Sequence, residues 1–170
     1  WEESSNDVLT FRLAQSYLAQ HHPRFLWLGL SQSDDWAHAG RYDRLLDYLH
    51  LADRLLSELW ASLQTNEFYR DRTTLIITTD HGRGRGPEDW VEHDETIPGS
   101  EDIWIAVIGP DTPATGEAGP SATVYQADVA ATIARMLQLD PADFNPQAGP
   151  PIAAVWGAAD SERNAAAGQD

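Results

Sequence analysis

The 170-residue chain has no cysteine, no lysine, a single methionine, and no apolar run close to the ~20 residues that cross a bilayer. Without cysteine, disulfides and thiolate-held zinc are excluded, so any metal must be held by carboxylate and imidazole. The same absence leaves the compartment open. No signal peptide is visible at Trp1, and no segment reads as a membrane span. Positive charge is scarce: 11 basic residues, all arginine, stand against 27 acidic ones, a formal charge of −16. That balance repels a polyanion and argues against nucleic acid as partner. The acid load reads as a solvated surface, and the length fits one domain burying roughly 70% of its unfolded surface.

What is present is an alternation of helical and strand-like patterns. Asn6 or Asp7 can cap a helix through Val8, Leu9, Phe11, Leu13, Ala14, Tyr17 and Leu18, which His21-His22-Pro23 ends. Arg24 to Leu30 reads as a buried strand. A long helix is expected from about Tyr42 to Leu63, with Leu45, Leu46, Leu49, Ala52, Leu56, Leu59, Trp60 and Leu63 as its apolar stripe. Strands follow at Thr74–Thr79 and Ile103–Ile108, then a Gly/Pro-rich connection and a helix from Asp128 to Leu139. Ile152 to Trp156 reads as a short last strand. The expectation is an α/β fold, a mainly parallel sheet sandwiched by helices. Residues 1–158 would form the folded part and 159–170 an Ala/Gly/polar flexible tail.

Chemistry concentrates where the apolar runs stop. Leu75-Ile76-Ile77-Thr78-Thr79 runs straight into Asp80-His81-Gly82. Strand ends are where open α/β sheets place their ligands. Asp80 and His81 offer a carboxylate and an imidazole to a divalent ion, and Gly82 lets the backbone pass closely. After Leu30, the segment Ser31-Gln32-Ser33-Asp34-Asp35-Trp36-Ala37-His38 places Asp34 four residues before His38, one face of a helical turn. Asp35, three residues from His38, is the rival ligand. His93 stands among acids just before the Ile103 run. Two aspartates, three histidines and two strand ends point to a centre of two metal ions. Arg83 and Arg85 follow the Asp-His-Gly, and guanidinium forks suit phosphate or sulfate oxygens. Surface arginines on a Gly-rich loop are the equal alternative. His50, on the long helix, reads as a surface position.

In order and approximate spacing, these motifs resemble the alkaline phosphatase superfamily: alkaline phosphatases, sulfatases, nucleotide pyrophosphatase/phosphodiesterases and cofactor-independent phosphoglycerate mutases. Its Asp-x-x-x-His motif matches Asp34 and His38, its Asp-His-Gly matches Asp80, His81 and Gly82, and its later histidine is best matched by His93. The resemblance covers about residues 7 to 140. It implies that Asp34, His38 and His93 hold one ion and that Asp80 and His81 belong to the second. It further implies an alkaline phosphatase-like fold and hydrolysis of phosphate or sulfate esters. Zinc is the expected metal and manganese, typical of the mutase branch, the alternative.

The superfamily also carries an N-terminal metal-binding Asp and a Ser or Thr nucleophile (a modified Cys or Ser in sulfatases), both before the matched region. No strand-like run precedes Arg24 to host them, and Ser31 and Ser33 are poor candidates. The chain is therefore expected to be the C-terminal part of a longer catalytic domain. The competing readings are a phosphotransfer mutase and a non-catalytic metal-binding relative.

Overall fold

Asn6 opens the first helix of the computed structural model, which describes residues 6–117, 123–143, 145 and 149–156. Its side chain accepts the Leu9 amide at 3.2 Å, satisfying an amide that has no partner within the helix. Helix α1 then runs Asp7–His21 and ends on His22, whose φ of 49° is left-handed and whose N–H returns to the Leu18 carbonyl. Only Asp7 and Phe11 of α1 are buried, while Leu9, Leu13 and Tyr17 are exposed.

By contact pattern the described chain falls into two compact units, one of residues 6–71 with 81–104, the other of 72–80 with the described residues from 105 onward. The first unit holds α1, α2 (Gln32–His38) and α3 (Tyr42–Thr65). Residues 24–30, expected as a buried strand, pair with no strand among the described residues, and Phe25, Leu26 and Trp27 are exposed. A strand needs a neighbouring strand to take its backbone N–H and C=O groups, and among the described residues no strand pairs with this run.

Helix α3 lies where its pattern placed it, but its buried face is Tyr48, Leu55, Leu59 and Leu63. Leu46 and Leu49, counted in the expected stripe, are exposed. The helix is leucine-rich on several faces. The phase is set by Tyr48, whose hydroxyl reaches the buried carboxylate of Asp7. His50 is exposed, as expected.

The second unit contains strands β1 (Leu75–Thr78) and β2 (Ile105–Ile108) and helix α4 (Ala127–Met136). The strands pair antiparallel, Leu75 opposite Ile108 and Thr78 opposite Ile105. This departs from the expected parallel sheet. A parallel pair needs a crossover of a dozen or more residues, usually a helix. Between β1 and β2 the only helical piece is a three-residue 3-10 turn at Asp89–Val91. The mixture of helices with a small sheet is compatible with an α/β fold.

The expected last strand at 152–156 is instead a 3-10 turn, Ala153–Val155. The Ile152 amide donates 2.9 Å to the Thr132 hydroxyl, which itself donates to the Asp128 carbonyl. That amide is thus committed to α4 rather than to a sheet. Val155 is buried, and the Arg135 guanidinium lies 4.2 Å over the Trp156 ring. The tail expected at 159–170 lies outside the described residues.

Candidate metal centre

The first unit gathers four of the candidate ligands. Two come from α2: Asp34, in its first turn, and His38, its last residue, whose Nε2 lies 3.5 Å from Oδ2 of Asp34. The i,i+4 spacing thus brings Asp34 and His38 together on one helical face, with Asp35 exposed beside them. His93, just after the Asp89–Val91 turn, brings its Nε2 to 3.0 Å from Nε2 of His38 and 3.7 Å from Oδ1 of Asp34.

The fourth candidate is His81, with Nε2 3.7 Å from Oδ1 of Asp34 and its ring stacked on His93 at 3.7 Å between centroids. The superfamily resemblance pairs His81 with Asp80; here it joins Asp34 and His93. Asp80 lies two residues beyond β1 in the second unit, where its carbonyl accepts the Gln126 side-chain amide at 2.9 Å.

Gly82 explains how His81 is aimed. Its N–H donates 2.8 Å to the Ser100 carbonyl, and a Cβ here would strike the backbone carbonyls of Gly99 and Asp102. The close passage read from the sequence is real. His81 then places Nδ1 2.9 Å from the Gly82 carbonyl. A carbonyl only accepts, so Nδ1 carries the proton and, in the neutral ring, Nε2 keeps its lone pair facing Asp34. His93 is held below the usual histidine range, first by burial and then by the charges of His81, Arg83 and His38. A neutral imidazole is the ligating form.

The donor set fits a divalent ion. Asp34, His81 and His93 each offer an atom, all within 4.8 Å of one another, and His38 contacts two of the three. Four ligands around one tetrahedral zinc stand ~3.3 Å apart, given bonds of ~2.0–2.1 Å. Nε2 of His81 and of His93 each lie 3.7 Å from Oδ1 of Asp34, close to that value, while His38 adjoins this trio through Oδ2 of Asp34 at 3.5 Å and His93 at 3.0 Å. One carboxylate with three imidazoles is also the chemistry left to a chain without thiolates.

Arg83 does not stand free on its loop. Its guanidinium bonds the Asp34 carboxylate and donates 2.9 Å to the Val91 carbonyl, with its side chain 20% exposed. Arg85 pairs with Asp102 on the surface. Glu92, which no motif pointed to, faces Nδ1 of His38 at 4.0 Å, the place where a carboxylate orients a ligating imidazole. Its only sequence signal was its position beside His93.

The sequence pattern of the type I phosphodiesterase / nucleotide pyrophosphatase family matches residues 1–152. The chain belongs to that family, and so to the alkaline phosphatase superfamily. The family hydrolyses phosphodiester or pyrophosphate bonds and typically uses divalent metals. No curated protein and no solved structure matches the chain. Among the described residues no helix is long and apolar enough to cross a membrane.

Proposed function

We propose that this chain supplies ligands to the two-metal centre of a hydrolase acting on phosphodiester or related phosphate esters. The observation that carries the reading is the convergence of Asp34, His81 and His93, whose donor atoms lie within 4.8 Å of one another, with His38 against Asp34 and His93. Asp34, His81 and His93, with His38 beside them, would hold one ion, and the superfamily resemblance assigns Asp80 to the second. Bound divalent ions supply Lewis-acid polarisation of the phosphoryl oxygens and a lowered pKa at an attacking hydroxyl or water. The chain's own groups prepare the site for this. The Nδ1 of His81 faces the Gly82 carbonyl, burial lowers the His93 pKa, and the Arg83 guanidinium, held on the Asp34 carboxylate, adds positive charge beside the site. No residue of the chain is assigned as nucleophile. Nitrogen-rich ligation favours zinc, with manganese the alternative.

Elemental analysis of the purified chain and of an Asp34→Ala/His93→Ala double variant tests this. Zinc or manganese should accompany the parent chain and be lost from the variant; metal retained by both would refute the site. Assays on bis(4-nitrophenyl) phosphate and 4-nitrophenyl sulfate then separate phosphodiesters from sulfate esters. Tight metal with turnover of neither ester would favour the non-catalytic relative.

A further inference from the structure

Helix α2 has no side-chain cap of its own, since Ser31 occupies the N-cap without making that bond. The amide of Gln32, its first residue, instead donates 2.8 Å to Oδ2 of Asp7. Asp7 is in turn the first residue of α1, and its own amide donates 3.1 Å to Oε1 of Gln32. First-turn amides have no partner inside their own helix. Two helices whose first residues are 25 positions apart therefore cap each other reciprocally. A third group closes the arrangement: the Tyr48 hydroxyl of α3 donates 2.5 Å to the same Oδ2.

This cluster is interior. Asp7 is fully buried and Tyr48 is 6% exposed. Burial and the neighbouring Asp7 carboxylate hold the Tyr48 phenol well above its usual range, so it remains a donor. A buried carboxylate is costly unless hydrogen-bonded. Here it meets two donors and the positive ends of two helices.

The consequence falls on α2. Seven residues make about two turns, far below the ~12–15 at which an isolated helix becomes even marginally stable. Its orientation must come from outside, and it carries both Asp34 and His38. We infer that Asp7, backed by Tyr48, is a positioning residue for the candidate metal centre, setting α2 through Gln32 two residues before Asp34. It is placed at none of the ligand atoms. The inference rests on the metal reading above for its functional consequence, but the clamp itself is measurable without metal.

The test uses the full chain with Asp7→Asn and Tyr48→Phe, the second removing only a hydroxyl so that folding is retained. Amide hydrogen exchange is followed across Gln32–His38 and across Leu55–Leu63 of α3. Zinc affinity is measured against a competing chelator, and cobalt is added as a spectroscopic probe of ligand geometry. Exchange across α2 should quicken at least tenfold in Asp7→Asn and less in Tyr48→Phe, with α3 changing far less. Zinc affinity should fall ~10–100-fold, as for other residues that orient ligands, and the cobalt absorption bands should shift. Exchange that rises equally in α2 and α3 overturns the clamp. Loosened α2 with unchanged zinc affinity and cobalt bands overturns the positioning role. If the parent chain takes up neither metal, the metal reading fails, and exchange alone still decides the clamp.

Discussion

Helices α3 and α2 adjoin in the first unit yet are held by different physics. Over its 24 residues α3 buries an apolar face of Leu55, Leu59 and Leu63, each contributing roughly 1.5–3 kcal/mol by leaving water. Its stability is distributed along that face. In α2, seven residues long, Ala37 is the single buried residue, and beside its packing on α3 its first amide is capped from outside by Asp7. The long helix is scaffold and the short one carries two of the proposed ligands, Asp34 and His38. Ligands on a short, externally capped helix can be set by a few hydrogen bonds, but the same few bonds can lose them.

The largest effect that would sharpen this contrast is at Leu59. Leu59→Ala should cost about 2–5 kcal/mol in urea unfolding, because it opens a cavity on the buried face. Leu46→Ala, on the exposed face, should stay within about 0.5 kcal/mol. Equal losses would mean that the two faces are not distinct.

Gly82→Ala should come next, at about 1–3 kcal/mol, since the added Cβ meets backbone carbonyls that cannot step aside. An unchanged urea midpoint would show that the 81–82 passage is not tight.

The smallest effect concerns the start of α3, where Arg41 holds the Asp43 carboxyl below its ordinary 3.8, at about 2. A lowered folded-state value adds stability that is present above pH 3.8 and lost as pH falls toward 2. Asp43→Asn should therefore lower Tm slightly at pH 7, and that difference should shrink as pH falls toward 2 and vanish below it. The pair is exposed, so salt should shrink the difference as well. A Tm gap that does not shrink between about pH 4 and pH 2 would assign the effect to something other than this ion pair.

Much of the helical framework was legible beforehand. Asn6, the His21-His22-Pro23 stop and the leucine periodicity located α1 and α3, because caps and the 3.6-residue repeat act within a few residues of sequence. The i,i+4 step from Asp34 to His38 was legible for the same reason. Residues 24–30 misled because a run such as Phe25-Leu26-Trp27-Leu28 reads alike whether or not a neighbouring strand covers it. Asp7 was read as a possible cap for its own helix, and nothing local announced that it caps α2 instead. Glu92 was hidden among other loop acids.

By itself, the sequence determined which chemistry is available: carboxylates and imidazoles without thiolates, with Asp-His pairs where apolar runs end. It also determined where the main helices lie, since those signals are local. Tertiary structure alone decided the antiparallel sense of β1 and β2, the buried phase of α3, the association of His81 with Asp34 and His93, and the mutual capping of α1 and α2. Each of these depends on groups far apart in the chain. Their meeting is set by connection geometry and by the need of buried polar groups for partners.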